Sequence, residues 1–580
     1  MSGSPRVFGP LTLTLVVAAG MQAAYWRWGP PFVAGQYAHP AGPFLFNLLS
    51  SPGPHTLAEY LSRANDLWLT FQLAWISLVV VLVVAPSLEA TTARVHRACL
   101  SFGDQCARHS PVFLGVGAAA VTVATALIGW LTLLHFPNSG DEYGYLYEAQ
   151  TLLAGRFSNP PHPLQAFFAT SHVIERGGHV FGVFPPGFGL IIAGASLLRV
   201  PAWTINPLLS GSLFVLTFHL TRRITGHAAT AALAAITLPL SSYFLMTGAS
   251  FFSHTACAFL VVGAMLAMLR MTEGRRWSAL VAGLLAGLAM ITRYYTPILC
   301  LLPLSVALWR ERHWRTEYLW ALAGGSVPIL FLLAYNHALT GNPLMLSKGG
   351  VEQYDTLWFA EGTWHRGAEF MLAHLWDLVL WTPPALLIAY LVSLRSVPLM
   401  SRLGAVGAGF ALLVVGLYPY MNRGGNQYGP RFYFDGYPLL VIGATAVLFG
   451  SAPFEARSRG ARRLVYLAFV SLLMHVPIAA HQISMHHEDV IERLDVTRQV
   501  ERAHLQHALV FVANWVGMDR PMPPSDYIRN GVTYDGSVLY ALDLGDQNRA
   551  LEDYYADRTC FTYSYDRTQR AGSLRPCPRR

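Results

Sequence analysis

The sequence predicts an all-α, multi-pass membrane protein with about thirteen transmembrane helices and a small C-terminal α/β domain. Of its 580 residues, 53% are hydrophobic and only 12% are charged, whereas soluble proteins carry about 25% charged residues. Apolar runs near the ~20 residues needed to cross a bilayer recur along the chain, and lipid favours helices over open strand edges. The net charge of +8 comes from arginines in short loops, so it does not indicate nucleic-acid binding.

The order of the apolar runs predicts the topology. Arginines cluster at every second span end, which places the N-terminus in the cytoplasm and the C-terminus outside. The predicted spans are 10–27, 67–86, 113–134, 204–221, 228–246, 251–270, 277–292, 295–309, 318–336, 377–394, 403–420, 435–450 and 464–481.

One apolar segment, 187–200, is too short to be counted as a span. Pro185-Pro186 precede it and Pro201 follows it, and counting it would move every later arginine cluster to the other side. We therefore interpret it as a re-entrant helix on the outer face. Irregular backbone at membrane depth is tolerated only inside protein or beside a cavity, so this helix should line a site.

Three domains follow from this topology. Residues 1–111 contain two N-terminal spans and a cytoplasmic loop. Residues 112–481 form a transmembrane core with large external loops at 135–203 and 337–376, and 482–580 form an extracytoplasmic domain.

The tail opens with a charged, helical pattern, and short apolar runs follow, which indicates a small α/β domain. These runs are 508–513, 537–541 and 559–563. Cys560 and Cys577 could form a disulfide in an oxidising compartment, and two free thiols are an equal alternative.

The candidate catalytic residues are Asp141 and Glu142, which follow the span 113–134. A carboxylate at this position can remove a proton from an acceptor hydroxyl. Repulsion between neighbours can raise the pKa of one of them, or the two could share a divalent cation. The alternative is an ordinary solvated pair at the membrane interface.

Basic residues on the predicted outer face are candidates for binding phosphate. Lys348, Arg423 and Arg431 lie in external loops, and Arg293, followed by Tyr294, ends a span on the outer side against the usual charge bias. Arginine binds phosphate through two parallel hydrogen bonds. Each cation alone could be an interface anchor.

A further candidate is His254, at the outer start of a span. Ionisable groups within membrane segments are often functional, although a structural, hydrogen-bonded histidine is the more common case. The sequence contains no phosphate loop, dinucleotide fingerprint or zinc-protease motif.

Taken together, these motifs resemble those of GT-C-fold glycosyltransferases, in the bacterial branch related to protein O-mannosyltransferases and the lipid A aminoarabinose transferase. The resemblance covers about 113–450. It rests on Gly140-Asp141-Glu142-Tyr143, Phe184-Pro185-Pro186-Gly187, Arg222-Arg223, Thr292-Arg293-Tyr294, Gly341-Asn342-Pro343 and Gly429-Pro430-Arg431-Phe432-Tyr433.

The resemblance implies a GT-C-like bacterial inner-membrane enzyme that transfers sugar from a polyprenyl-phosphate donor, usually with inversion, on the extracytoplasmic face. The acceptor would be an envelope glycan, lipid or protein. Asp141 would be the base and Glu142 its partner or alternate, with Arg293, Lys348 and Arg431 at the donor phosphate. Some relatives use a divalent metal ion and others do not.

Two other functional classes are weighed against this one. A transporter or flippase would show charged or broken helices at the bilayer midplane and internal repeats, and no clear repeat is present in the sequence. A non-catalytic envelope scaffold would tolerate loss of both Asp141 and Glu142.

Overall fold

The computed structural model describes residues 89–311, 315–349, 371, 374–375, 377–417, 427–450, 457–513, 529–566 and 569–578. The first two predicted spans and Arg423 lie outside the described residues, as does most of the predicted loop after 349.

The described part is mostly helical. In chain order the α-helices are α1 (Glu89–Arg108), α2 (Ser110–Leu131), α3 (Gly140–Leu153), α4 (Pro186–Leu197), α5 (Ile205–Thr225), α6 (Ala228–Thr237), α7 (Ser242–Ala249), α8 (His254–Met271), α9 (Arg276–Thr292), α10 (Thr296–Trp309), α11 (Arg315–Thr340), α12 (Pro384–Ser396), α13 (Arg402–Gly416), α14 (Tyr437–Phe449), α15 (Arg459–Arg502) and α16 (Asn548–Tyr554).

The helices match a multi-pass membrane protein. Within the described residues, four helices are long and apolar enough to cross a membrane, and the number rises to six if two bent helix pairs each form one span. Shorter apolar helices occupy four further predicted spans, namely α9, α10, α12 and α13. The predicted class of fold is confirmed, whereas the number of spans stays a prediction.

Two helix pairs are sharply bent. Helix α4 meets the helical segment Ala202–Thr225 at 116°, and α6 meets α7 at 67°. Prolines before and after α4 set its ends, because proline favours a helix start and disfavours a helical residue before it. The bend after α4 fits the predicted re-entrant helix, while the single predicted span 228–246 is in fact two helices.

Helix α15 runs unbroken for 44 residues. At 1.5 Å per residue it is about 66 Å long, roughly twice the hydrocarbon thickness of a bilayer. The predicted span 464–481 and the charged stretch after it therefore form one helix, and the predicted boundary at 482 falls in its middle.

The C-terminal region contains a four-stranded sheet of order β4-β3-β5-β6. Its strands are β3 (Ala508–Val512), β4 (Val538–Leu542), β5 (Thr559–Asp566) and β6 (Ala571–Pro576). Strand β3 is parallel to both neighbours, and β5 and β6 are antiparallel. The three apolar runs of the tail thus form three of the four strands, and Cys560 and Cys577 form a disulfide, the first of the two alternatives for these cysteines. A hairpin of β1 (Val173–Arg176) and β2 (His179–Gly182) lies between α3 and α4.

Helices α9 and α11 pack unusually closely through glycines. A Cβ atom at Gly283 would overlap the backbone carbonyl of Ala321, and one at Gly324 would overlap the carbonyl of Leu280. Small residues allow this close backbone approach between helices in a membrane. The contact fixes the middle of α9 against α11.

We expect Gly283→Ala to destabilise the protein by about 1–3 kcal/mol, because the added methyl group must push α11 away. The measurement is thermal unfolding of the purified protein in detergent. Gly115→Ala is the matched control, since a Cβ atom there meets nothing within 4 Å. Equal unfolding temperatures for the two variants would contradict this description of the helix contact.

Candidate active site

The candidate site begins at the first turn of α3. Ser139 is the N-cap residue, and its side-chain oxygen accepts a hydrogen bond from the backbone N–H of Glu142 at 3.2 Å. The sequence Ser-Gly-Asp-Glu is typical of a capping box. Both carboxylates therefore lie at the positive end of the helix dipole, which favours negative charge.

The two carboxylates of this turn point in different directions. Glu142 is fully buried, and its Oε1 accepts a hydrogen bond at 2.9 Å from the backbone N–H of Phe251, in the loop between α7 and α8. Burial raises the pKa of Glu142 to about 7, although the Phe251 N–H and the charge of Arg529 oppose this rise. Glu142 thus joins α3 to the bundle.

Asp141 points toward a basic side chain. Its Oδ2 accepts a hydrogen bond from Nη2 of Arg431 at 2.9 Å, and Nε2 of His172 lies 3.8 Å away. Its side chain keeps 20% exposure, so a substrate can reach it. Burial would raise the pKa of Asp141, but the Arg431 charge, with His172, lowers it to about 2.

Arg431 is held between aromatic rings. Its guanidinium lies 4.3 Å from the ring centre of Phe252 and 5.6 Å from that of Phe432, a cation–π arrangement. Its buried Nε has no hydrogen-bond partner within the described residues. This donor is enclosed by protein atoms, so a substrate would reach the guanidinium from the side of Asp141.

A left-handed turn directs Arg431 into the site. Tyr428 and Gly429 both have positive φ, 61° and 91°, and a Cβ atom at Gly429 would lie 3.0 Å from the rings of Trp381 and Tyr243. Glycine fits both the conformation and the space. Gly429 in the Gly-Pro-Arg motif thus provides the backbone conformation that this turn requires.

A second ionic cluster surrounds Asp435, in the helical turn before α14. Its two oxygens contact His254 Nδ1 at 3.0 Å and Arg293 Nε at 2.8 Å, and Thr296 donates a further hydrogen bond. Arg293 can only donate, and its Nη1 lies 3.3 Å from Nε2 of His254. His254 therefore accepts through Nε2 and donates through Nδ1 to Asp435, as a neutral ring.

The ionic cluster around Asp435 lies next to the Asp141–Arg431 pair. The guanidinium of Arg293 lies 5.7 Å from the ring centre of Phe432, and that of Arg431 lies 5.6 Å from the same ring. The structure therefore brings together Asp141, His254, Arg293 and Arg431, four of the predicted site residues.

Tyr294, which follows Arg293 in the chain, contacts the turn that contains Lys348. The Tyr294 hydroxyl is 3.2 Å from that of Ser347, which donates to the carbonyl of Val183. Lys348 is the next residue of the same turn. This turn therefore packs on the segment that leads into the Phe-Pro-Pro-Gly motif.

The C-terminal region also contacts α3. The guanidinium of Arg529 lies 4.0 Å from the ring centre of Phe136 and 5.6 Å from that of Tyr143. The Tyr143 hydroxyl donates to the carbonyl of Asn530 at 2.9 Å. Sequence reasoning did not find Arg529, because an isolated arginine in a turn-rich segment carries no signal.

Asp435 was also missed, but a signal for it exists. It lies at the start of the predicted span 435–450, and an acidic residue in a membrane segment is rare and usually has a function or a cationic partner. That rule, applied to this span, would have marked Asp435 as a site candidate with a cationic partner.

Within the described residues, three ligand atoms lie close enough together to hold a metal ion at Glu552, Cys560 and Cys577, but these two cysteines form the disulfide. The divalent metal ion considered from the sequence therefore stays a prediction.

Two family models match parts of this chain. Residues 185–335 match the family model of dolichyl-phosphate-mannose-protein mannosyltransferases. The resemblance to GT-C glycosyltransferases is confirmed. The matched stretch of this GT-C-like chain includes Arg293 and Tyr294. The family match supports membrane glycosyl transfer. Residues 508–577 match a domain of unknown function, DUF7846, and no curated protein matches the chain.

Three solved structures resemble this chain at low sequence identity. ArnT from Cupriavidus metallidurans, bound to undecaprenyl phosphate, is 12% identical with a TM-score of 0.48, covering 77% of this chain and 93% of its own. The Archaeoglobus fulgidus oligosaccharyltransferase AglB is 11% identical at 0.41, covering 77% and 69%. The mycobacterial arabinofuranosyltransferase AftD is 16% identical at 0.39, covering 74% and 33%.

We expect stability to depend on pH through Glu142. A free glutamate has a pKa of about 4.3, so a buried one with a pKa of about 7 loses stability as pH rises between these values. Glu142→Gln keeps an acceptor for the Phe251 N–H without the charge. The variant should gain up to about 3 kcal/mol relative to the native protein between pH 4.5 and 7.5.

The measurement is the unfolding temperature of both proteins in detergent across this pH range. Glu175→Gln is the control, because Glu175 is exposed on strand β1. Parallel pH curves for the native protein and Glu142→Gln would show that this carboxyl does not titrate there.

Proposed function

We propose that this protein is a membrane glycosyltransferase that moves a sugar from a polyprenyl-phosphate donor to an envelope glycan, lipid or protein on the extracytoplasmic face. The observation that carries the proposal is the partly exposed pair of Asp141 and Arg431. A proton acceptor and a phosphate-binding cation lie next to each other at the start of α3. The name of the matched family supports a lipid-phosphate sugar donor.

Arg431 is the first candidate to bind the donor phosphate. It lies beside the partly exposed Asp141, and an arginine binds phosphate through parallel N–H donors. Arg293 lies on the same aromatic ring, but its Nε and Nη1 already contact the fully buried Asp435 and His254. We therefore assign primary phosphate binding to Arg431 and a supporting role to Arg293.

His254 and Asp435 hold Arg293 in place rather than touching the substrate. Lys348, Tyr294 and Arg423 are proposed to complete the donor site from neighbouring segments. Glu142 is proposed to fix α3, because its carboxylate faces the Phe251 N–H.

The reaction begins with the acceptor hydroxyl beside Asp141. Asp141 takes the hydroxyl proton as that oxygen forms a bond to the anomeric carbon. The bond between this carbon and the phosphate oxygen breaks, and the phosphate leaves with the electron pair, which inverts the anomeric centre. Arg431 stabilises the charge of the leaving phosphate.

The ion pair explains how a carboxylate of low pKa becomes a base. In the free protein Arg431 keeps the pKa of Asp141 near 2, which makes it a weak base. A donor phosphate would compete for the same guanidinium. Transfer of the guanidinium from Asp141 to phosphate raises the carboxylate pKa, so donor binding activates the base.

We expect Asp141→Asn to reduce transfer by about 10²–10⁴-fold, because the amide cannot accept the hydroxyl proton. Its unfolding temperature should fall only modestly, since Asp141 is partly exposed and the amide oxygen of asparagine can still accept the hydrogen bond from Arg431. The assay uses membranes with radiolabelled polyprenyl-phosphate sugars, and the same screen identifies the donor.

Asp535→Asn in the C-terminal region is the matched control, being an exposed aspartate. Full activity in Asp141→Asn would reject Asp141 as the base. A transporter or a scaffold would give no transferred label with any donor. Assay after dialysis against a chelator tests the divalent metal ion separately.

We expect Arg431→Gln to change both donor binding and the pH profile. The KM for the donor should rise more than tenfold, since a charge-assisted bond is lost. Without Arg431 the pKa of Asp141 rises, so the acidic limb of kcat/KM should move from near pH 2 into the range of about pH 4–6. An unchanged limb would contradict the coupling between this pair and catalysis.

A further inference from the structure

A basic cavity lies away from the candidate active site. It has a volume of about 510 Å³ and is lined by His219, Arg222, Arg223, Leu266, Arg270 and Arg402. These residues come from α5, α8 and α13. The lining is almost entirely cationic or ionisable, which is unusual for a cavity in a chain with 12% charged residues.

The basic cavity is at the opposite ends of the helices that form the active site. Helix α8 begins with His254 and carries Arg270 in its last turn, so the two are about 24 Å apart along the helix. Helix α5 likewise starts at the loop beside Glu142, where Asn206 donates to the carbonyl of Phe252, and ends beyond Arg222. The cavity therefore opens at the other membrane surface.

The charges in the basic cavity are only partly balanced. Arg223 pairs with Glu273 at the rim, and Arg402 forms two hydrogen bonds with Glu311 at 2.7 and 3.1 Å. Arg222 and Arg270 form no ion pair with any acidic residue that the structure describes. The hydrogen bond and charge of Arg223, with the charges of Arg275 and Arg270, also lower the pKa of the exposed Glu273 carboxyl. One carboxylate is therefore shared among three arginines, and the positive charge of the cavity is not fully neutralised by the described chain.

The chemistry of this lining fits a phosphate group. Arginine binds phosphate oxygens through forked donors. The apolar lining residue Leu266, near the C-terminal end of α8, is buried. Basic cavities between transmembrane helices at a membrane surface are suited to the headgroups of anionic lipids. If these arginines served only as the usual positive charges at the ends of membrane helices, two of them would not need to face the same cavity.

We propose that the basic cavity binds a phosphate group, supplied either by the headgroup of an anionic phospholipid or by a soluble phosphate. Arg222 and Arg270 bind it directly, while Arg223 and Arg402 are held at the rim by their carboxylate partners. This site is independent of the glycosyl-transfer proposal, because it contains no residue of the active site.

The test measures unfolding of the full-length protein in detergent with added ligand. Phosphatidylglycerol is titrated against phosphatidylcholine in one series, and inorganic phosphate against chloride at equal ionic strength in the other. The double variant Arg222→Gln/Arg270→Gln should raise the apparent Kd of the stabilising ligand about tenfold or more. Stabilisation by phosphatidylglycerol alone identifies a lipid source, and stabilisation by inorganic phosphate identifies a soluble one.

The matched control is Arg276→Gln/Arg395→Gln, which removes the same charge from residues that do not line the cavity. If the first double variant does not fold, Arg222→Lys/Arg270→Lys keeps the charge without the forked donors and should weaken binding by a smaller factor. The proposal is overturned if neither ligand stabilises the native protein more than its reference. It is equally overturned if both double variants lose the response alike.

Discussion

The geometry of the candidate site depends on one buried hydrogen bond, from the Phe251 N–H to the carboxylate of Glu142. The loop that supplies this N–H is itself fixed, because Asn206 donates to the carbonyls of Ser250 and Phe252 at 2.7 and 2.8 Å. Breaking the bond would leave a buried carboxyl group without its best donor, which is costly. The first turn of α3 therefore has one stable position, and that position sets the direction of Asp141.

Aromatic rings then limit the contact of the charges of the site with water, while Asp141 keeps 20% exposure. Phe432 lies between the guanidinium groups of Arg293 and Arg431, and Phe252 covers the other side of Arg431. Electrostatic interactions strengthen in such an environment, but each charge needs a partner there. The two acidic residues Asp141 and Asp435 supply these partners, so the site is a pair of neighbouring ion pairs.

The sequence predicted the parts of this site that depend on membrane topology. Asp141, Arg293 and Arg431 were found because each lies next to a span end on one predicted face. Their pairing could not be predicted, since it depends on side-chain direction. Glu142 follows Asp141 directly but turns inward, because neighbouring residues of a helix point about 100° apart. The contact of Arg529 with α3 joins segments nearly 400 residues apart, and no local pattern encodes it.

The number of residues in the continuous helix α15 sets the distance between the helical bundle and the terminal sheet. Because no break separates the bilayer portion from the part outside it, each added residue would lift the sheet by about 1.5 Å and turn it by about 100°. An insertion of seven or eleven residues would bring the sheet back to within about 20° of its present direction. The length of α15 therefore fixes both the height and the direction of the sheet.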